Sequence, residues 1–132
     1  MPNVNESNNK QKNLFIASAT LQSSFRNWIK NDPSAEFPAE SNRYHLYVAL
    51  ACPWAHRTLV VLKLKGLEHI ISYSLVDGLL DMETDCGWAF NEHYPDPYHP
   101  NFTHLKNVYQ LNDPNYTGIV TVPVLFDIKI EK

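Results

Sequence analysis

The sequence predicts an α/β domain organised around a parallel strand–helix–strand unit, and three features of its middle third carry that prediction. Residues 43–50 alternate between two faces, as a β-strand does. A helical apolar pattern then begins near Pro53, which suits a first helical position, and ends at Gly66, a typical helix stop. Residues 70–76 form a second apolar strand. Because a helix separates the two strands, we expect them to pair in parallel.

The rest of the chain divides at changes in composition. Residues 1–13 are polar and rich in asparagine, which predicts a disordered arm and not a signal peptide. Residues 14–42 are predicted to be an N-terminal extension. Within it, a loosely helical pattern over 14–30 predicts a short helix, and the proline-containing stretch 31–42 is a connector. The domain itself is predicted to occupy residues 43–132.

The second half of the domain is less regular. Residues 77–100 hold three prolines and predict a long irregular excursion, which in compact domains is usually functional. A short helix is predicted over 102–110. A third strand is predicted over 119–126, interrupted by Pro123, and residues 127–132 are predicted to form a turn and the start of a further strand.

Length, composition and charge argue against several classes of function. Its 132 residues suit one compact domain. The net charge of −3 gives no reason to expect a nucleic-acid partner or an anionic membrane surface. No apolar run approaches the roughly 20 residues that span a bilayer. With only two cysteines, a disulfide scaffold is not expected, and the cytoplasm, where both would be free thiols, is the predicted compartment.

Cys52 is the predicted catalytic residue because it lies between a strand end and the helix that starts at Pro53. Unpaired N–H groups and the helix dipole stabilise an anion at that position, and the thiolate is the reactive form of cysteine. His56 and Arg57 lie one turn later and would add positive charge. The alternative is that Cys52 is a small buried side chain with no reactivity. The strand–Cys-Pro–helix context favours the reactive site.

A dithiol oxidoreductase needs a second cysteine three positions after the first, and this chain has Ala55 there. A mixed disulfide on Cys52 would therefore be resolved by an external thiol, which predicts a glutathione-coupled monothiol cycle. Cys86 is either a distant resolving thiol or, as we prefer, a loop thiol with no special role.

Pro123 is the second predicted element of the site. Within an apolar strand it removes a ladder hydrogen bond, so one interpretation is an ordinary edge-strand proline. The other is a cis Val122–Pro123 bond that presents the backbone of Val122 to a peptide-like ligand, which would pair like an added strand. The Cys-Pro helix upstream favours the second interpretation.

A metal site is the alternative to this prediction. Four residues with ligand side chains follow one another at spacings of seven, six and five: Cys86, His93, His99 and His104. Structural zinc sites prefer tighter, paired spacings, and the chain has no C-x-x-C pair. The sequence therefore predicts no metal cofactor.

Seven segments together resemble the glutathionyl-hydroquinone reductases, the Xi class of omega-like glutathione transferases. They are 25–29 (FRNWI), 43–48 (RYHLYV), 51–58 (ACPWAHRT), 63–67 (KLKGL), 87–90 (GWAF), 116–118 (YTG) and 121–125 (TVPVL). The resemblance implies a thioredoxin-like fold for residues 43–132, equivalent to the N-terminal domain of a glutathione transferase. It also implies that glutathione and glutathionyl-quinols are the small-molecule partners.

The resemblance further implies a mechanism and a site. Cys52 would attack the sulfur of a glutathionyl-hydroquinone, release the hydroquinone, and hold glutathione as a mixed disulfide that a second glutathione resolves. The implied glutathione-binding residues are Trp88, Ile119, Val120, Thr121, Val122 and Pro123.

Two departures from the family pattern bear on activity. Ile119 stands where the family has an arginine that holds glutathione, so one charge-assisted contact is missing. The chain also ends before the family's Glu-Ser motif and all-α C-terminal domain, which carry much of the hydroquinone pocket and dimer interface. We therefore expect a fragment, isoform or truncated product with weak activity. The alternative is a non-catalytic module that binds glutathione or a protein partner.

Overall fold

The structure is a computed structural model that describes residues 24–78, 80–81 and 87–132. Strand β1 (Tyr44–Val48) leads into helix α1 (Pro53–Leu64), and α1 leads into strand β2 (Ile71–Leu75). The two strands pair in parallel, from Tyr44 opposite Ile71 to Val48 opposite Leu75. The predicted parallel strand–helix–strand unit is therefore confirmed.

Residues at the two ends of helix α1 determine where it begins and ends. Pro53 occupies the first turn, where its missing N–H costs nothing. At the other end Gly66 has a φ of +63°, and its N–H donates to the Lys63 carbonyl at 3.0 Å. The Leu67 N–H donates to the Leu62 carbonyl at 3.0 Å. These two bonds form a Schellman motif, which needs a left-handed residue at the position of Gly66.

Strand β5 (Val124–Asp127) pairs antiparallel with β1 and completes a three-stranded sheet of order β2-β1-β5. The predicted third strand over 119–126 was too long, because residues 119–123 are irregular. Pro123 has no N–H to donate to a ladder, so regular pairing starts only after it. The segment before β5 is therefore a loop that approaches the end of the sheet.

The predicted irregular excursion at 77–100 contains a small two-stranded sheet, formed by β3 (Leu80–Asp81) and β4 (Gly87–Trp88). The chain then reaches helix α2 (Leu105–Asn112), which starts later than the predicted 102–110. The reason is its cap: the Asn107 side chain accepts from the His104 N–H at 3.1 Å, which fixes the start of the helix after His104.

The predicted helix over 14–30 is wrong for its described part. Residues 24–30 are not helical, because the Lys30 backbone pairs with the connector: its N–H donates to Phe37 at 2.9 Å, and its carbonyl accepts from Ala39 at 2.8 Å. Residues 14–23 of that prediction, and the predicted arm at 1–13, lie outside the described residues.

The end of the chain forms the predicted turn but no further strand. Only a first pair is in place: the Asp127 N–H donates to the Lys132 carbonyl at 2.8 Å, and the Lys132 N–H donates to the Asp127 carbonyl at 3.4 Å. Within the described ranges, no helix is both long enough and apolar enough to cross a membrane.

One hydrophobic core joins the sheet to both helices and to the loop before β5. All five residues of β1 are buried, so the strand has core on both faces and not the alternating environment of a surface strand. The members that position the site are Val48, Ala49, Ala55, Tyr109 and Val122. Cys52 is half-buried and packs against this core.

Candidate functional site

Cys52 caps the N-terminus of α1. Its φ of −93° and ψ of 117° are extended, and its carbonyl accepts the first helical bond, from the His56 N–H at 3.0 Å. No side chain caps this end, and the first turn contains no acidic residue. The first N–H groups of a helix lack intrahelical acceptors, so this end favours an anion. The thiol therefore lies at the positive end of the helix dipole, where an anionic ligand group is stabilised.

The loop before β5 brings a second predicted element to Cys52. The Val122–Pro123 peptide bond is cis, as the sequence analysis predicted. The Cys52 thiol donates a hydrogen bond to the Val122 carbonyl, with Sγ 3.4 Å from the oxygen. Two residues 70 positions apart in the chain thus meet at the carboxyl end of β1.

The sequence predicts that the backbone of Val122 faces a ligand, and this stays a prediction. The Val122 side chain is 5% exposed and belongs to the core, which fixes the orientation of the residue. Its carbonyl faces Cys52. No described residue accepts a hydrogen bond from its N–H. The Cys52 thiol and the Val122 peptide group therefore lie side by side.

Two tyrosines that the sequence analysis did not select hold this loop. The Tyr109 hydroxyl donates to the Thr121 carbonyl at 2.9 Å and accepts from the Thr121 N–H at 3.3 Å. The Tyr116 hydroxyl donates to the Ile119 carbonyl at 2.8 Å. Burial raises the pKa of Tyr116, with a smaller contribution from Tyr109, so its hydroxyl stays protonated. A tyrosine on a short helix gives no sequence signal for such a role, because the contact is made across the fold.

The other predicted site residues are less closely joined to Cys52. Trp88 is half-buried on β4 and packs against the same hydrophobic core as Cys52. Val120 is partly buried against that core, whereas the Ile119 side chain is 41% exposed. The structure thus brings Cys52, Val122 and Pro123 together, and it places Trp88 on a separate element.

The cationic side chains after Cys52 lie on the exposed side of α1. The Arg57 guanidinium lies over the Trp54 ring, 4.7 Å from its centroid. His56 and Arg57 are both exposed. Their contribution to the environment of the thiol stays a prediction.

The histidines proposed as alternative metal ligands do not converge. His99 lies 3.3 Å from the Asp96 carboxylate and stacks on Phe102 at 4.5 Å. His93 is exposed beside Glu92, and His104 contacts Thr103. Across residues 24–78, 80–81 and 87–132, no three histidine, cysteine or acidic side chains form a group that could hold a metal ion. Cys86, the fourth proposed ligand, lies outside the described residues.

A buried polar cluster is built on β1, separate from the cysteine. His45 is 2% exposed, and its ring nitrogens lie 2.7 and 2.8 Å from the hydroxyls of Ser72 and Ser74 on β2. Burial lowers the pKa of His45 to about 4, against a smaller opposing effect of Asp96. Burial and the Asp96 carboxylate raise the pKa of Tyr47, whose hydroxyl donates to that carboxylate at 3.1 Å. This cluster connects the long loop to the sheet, and the His45 ring in it is neutral.

A groove of about 550 Å³ lies against the loop before β5. Thr121 and Pro123 line it, together with aromatic side chains that include Phe25, Tyr109 and Tyr116. Cys52 does not line this groove. The groove is therefore a separate feature from the cysteine site.

Comparison with known families supplies the context for this site. The family described as "Glutathione S-transferase, N-terminal domain" matches residues 51–129, which include Cys52, Trp88 and the 119–123 loop. That match covers more than half of the chain.

Individual relatives agree with the family match. The chain is 47% identical over 116 residues to glutathionyl-hydroquinone reductase YqjG of Escherichia coli, covering 81% of the chain and 34% of that protein. It is 46% identical over 101 residues to glutathionyl-hydroquinone reductase PcpF of Sphingobium chlorophenolicum, covering 74% of the chain and 31% of that protein. The chain thus spans about a third of the length of these curated relatives.

Solved structures give the same result. A Xi class glutathione transferase from Natrialba magadii superposes with a TM-score of 0.75 at 44% identity, covering 83% of this chain and 34% of that one. The glutathione-bound structure of YqjG from Escherichia coli superposes with a TM-score of 0.71 at 45% identity, covering 84% of this chain and 38% of that one.

Proposed function

Because this chain belongs to the glutathione S-transferase N-terminal domain family, with relatives of the Xi class, we propose that it binds glutathione beside Cys52 and transfers it through that thiol. The resemblance inferred from the sequence and the thioredoxin-like α/β fold are both confirmed. The observation that carries the proposal is the 3.4 Å contact between Cys52 Sγ and the Val122 carbonyl, next to the cis Val122–Pro123 bond.

The proposed binding mode follows from this geometry. Glutathione is a tripeptide, and its central backbone pairs with Val122 as an added strand would, using the available N–H and the carbonyl. This pairing sets the glutathione sulfur beside Cys52. The helix N-terminus then stabilises negative charge on whichever sulfur carries it. Thr121 and Pro123 flank the paired residue, and we assign Trp88, Ile119 and Val120 to the surrounding glutathione site.

The reaction we propose is reduction of glutathionyl-hydroquinones, the activity in the names of the relatives from Escherichia coli and Sphingobium chlorophenolicum. The Cys52 thiolate attacks the sulfur of the aryl thioether, and the sulfur–aryl bond breaks. Its electron pair stays on the ring carbon, which takes up a proton and leaves as the free hydroquinone. Glutathione remains as a Cys52 mixed disulfide. A second glutathione thiolate attacks that disulfide, leaves as oxidised glutathione, and restores Cys52.

The neighbourhood of Cys52 supports an external resolving thiol. Ala55 stands three positions after Cys52 and is fully buried in the core. The position at which a dithiol enzyme carries its second cysteine is thus closed to solvent as well as lacking a thiol. The mixed disulfide on Cys52 must be released by an incoming glutathione, in the reducing cytoplasmic setting where this co-substrate is abundant.

A second candidate function is a glutathione-binding module without turnover, and Ile119 favours it. The exposed Ile119 side chain supplies no charge where the resembled family carries an arginine, so binding loses a charge-assisted contact. Steady-state transfer of glutathione from a low-molecular-weight mixed disulfide separates the two candidates. A catalyst turns over, whereas a module binds glutathione and shows no turnover.

The test compares the wild-type chain with the variants Cys52→Ser and Cys86→Ser. We expect glutathionyl-menadiol reduction, scaled to enzyme concentration, to fall at least 100-fold in Cys52→Ser, because the mixed disulfide cannot form. Cys86→Ser should keep the wild-type rate. Iodoacetamide alkylation across pH supplies the second readout. If Cys86 alkylates faster than Cys52 at neutral pH, or Cys52→Ser keeps its turnover, the assignment of the nucleophile is wrong.

A further inference from the structure

The loop before β5 cannot obtain its shape from the sheet. Regular pairing starts at Val124, so the backbone groups of Thr121 and Val122 have no strand partner. One side chain supplies the missing bonds: the Tyr109 hydroxyl pairs with both the carbonyl and the N–H of Thr121, at 2.9 and 3.3 Å. A single hydroxyl thus does for Thr121 what a neighbouring strand does elsewhere.

We infer that Tyr109 is a positioning residue for glutathione, because its hydroxyl fixes the Thr121 peptide groups and so orients the Val122 backbone that the ligand pairs with. The inference rests on the proposed function for the identity of the ligand. Helix α2 then contributes to glutathione binding through Tyr109, although it lies far in sequence from Cys52.

The Tyr109 hydroxyl is itself held firmly. The residue is 8% exposed, and its ring contacts Phe25 at 5.3 Å and Tyr116 at 5.2 Å between centroids. Phe25 and Tyr116 also contact each other, at 5.4 Å. In this three-ring cluster the Tyr109 side chain has little freedom to rotate. Its hydroxyl is therefore a fixed anchor and not a mobile surface group.

The Tyr109 hydroxyl orients the site through two adjacent residues, Thr121 and Val122. Thr121 is bonded to Tyr109, and the next residue, Val122, has its side chain in the core and its carbonyl 3.4 Å from Cys52 Sγ. With the Thr121 peptide fixed on one side and the Val122 side chain on the other, the N–H of Val122 has one orientation. Without the hydroxyl, Thr121 loses two bonds and the Val122 peptide becomes free to rotate.

The first test is the substitution Tyr109→Phe, which keeps the ring and removes only the hydroxyl. We expect glutathione to bind about tenfold more weakly, measured by calorimetric titration of the full chain. The matched control is Tyr44→Phe. Tyr44 is 3% exposed, and its hydroxyl donates to the Pro38 carbonyl at 2.7 Å, so the same kind of bond is lost away from the loop before β5. Tyr44→Phe should lose about as much stability as Tyr109→Phe and keep the wild-type affinity for glutathione. Equal affinities in wild type and Tyr109→Phe would overturn the inference.

A second readout does not depend on the ligand. In amide-exchange NMR of the unliganded chain, Tyr109→Phe should speed exchange of the Thr121 N–H about tenfold, beyond any change in globally protected amides, and should shift the Val122 resonance. Tyr44→Phe should alter neither. Unchanged Thr121 exchange would overturn the positioning role even if affinity fell. If the wild-type chain bound no glutathione, the proposed function would fail, and the exchange result alone would then decide whether Tyr109 orients this loop.

Discussion

The two ends of strand β1 differ in how completely their polar groups are paired. At the amino end, Arg43 Nε and Nη2 lie 2.7 Å from one oxygen of the Asp127 carboxylate, which is 1% exposed. The same guanidinium reaches the Glu36 carbonyl and the Glu40 carboxylate. The Arg43 carbonyl also accepts from the Ile128 N–H at 2.9 Å. The Arg43 guanidinium is thus paired with Asp127 on β5 and with Glu36 and Glu40 in the connector.

The carboxyl end of β1 is open by comparison. After Val48 and Ala49 the chain emerges with Leu50, which is 63% exposed, and reaches Cys52. The thiol makes one long contact to the Val122 carbonyl, and the Val122 N–H has no described acceptor. A helix N-terminus without a side-chain cap completes this end.

Under the proposed function, the difference separates the end of β1 that stabilises the sheet from the end that binds the ligand. A site that recognises a peptide backbone needs donors and acceptors that the fold leaves unused, and these cost stability when no ligand is bound. The sheet is therefore fastened at the end away from the cysteine. Substitutions at the two ends should separate stability from binding.

The largest expected effect on stability comes from Asp127→Asn, which keeps the shape of the side chain and removes its charge. The Arg43 guanidinium would be left without its buried partner, and thermal unfolding should shift down by roughly 10 °C. Glutathione affinity should stay unchanged. The control is Glu68→Gln, which breaks the exposed pair with Lys63 and should shift the midpoint by little. A fall in affinity without a fall in the midpoint would contradict this division between the two ends.

The next effect concerns His45, in the body of β1. Its pKa is lowered from 6.5 to about 4 by burial, so the unfolded state takes up a proton before the folded state does. Stability from the neutral ring is complete above pH 6.5 and is lost as pH falls toward 4. The lowering of the His45 pKa corresponds to about 3 kcal/mol in the free energy of unfolding.

Urea unfolding at a series of pH values measures this effect. The free energy of unfolding of His45→Asn, subtracted from that of the wild type at each pH, removes the contribution of carboxylates that titrate in the same range. The remaining dependence on pH belongs to His45. The exposed residue His56, replaced by Gln, should leave the wild-type curve unchanged. Parallel curves for wild type and His45→Asn would show that the ring is not the source of the acid sensitivity.

The smallest expected effect comes from Gly118→Ala, which tests the loop before β5 at the open end. An added Cβ would lie 2.6 Å from the Tyr116 hydroxyl oxygen, so the ring must move and its bond to the Ile119 carbonyl weakens. We expect a loss of about 1–2 kcal/mol in the free energy of unfolding, with a modest loss of glutathione affinity. At Gly78 a Cβ would meet, among the described residues, only Ala51, at 3.8 Å, so Gly78→Ala should change neither quantity. If Gly118→Ala and Gly78→Ala had equal stabilities and equal glutathione affinities, Tyr116 would not support the loop before β5.

Much of the site was predictable because its signals are local. The alternation over 43–50, the proline after Cys52 and the glycine at position 66 each specify backbone geometry within a few residues, and the structure follows all three. The proline at 123 predicted a cis bond, which is present. Residues in such segments determine their own conformation through sterics and missing N–H groups, so one sequence suffices to identify them.

The predictions that failed depend on contacts with residues outside the segment whose pattern was read. The described part of the predicted N-terminal helix is not helical because Lys30 pairs with residues 37–39. The third strand is shorter than predicted because Pro123 has no N–H for the ladder, and the hydroxyls of Tyr109 and Tyr116 bond the backbone of the loop before it. The sequence by itself determined the Cys-Pro helix start, since that is a property of neighbouring atoms, and it favoured the cis proline through the Cys-Pro helix upstream. Only the tertiary structure decided that Val122 faces Cys52 and that a tyrosine hydroxyl holds the residue before it, because both are contacts between segments that packing alone brings together.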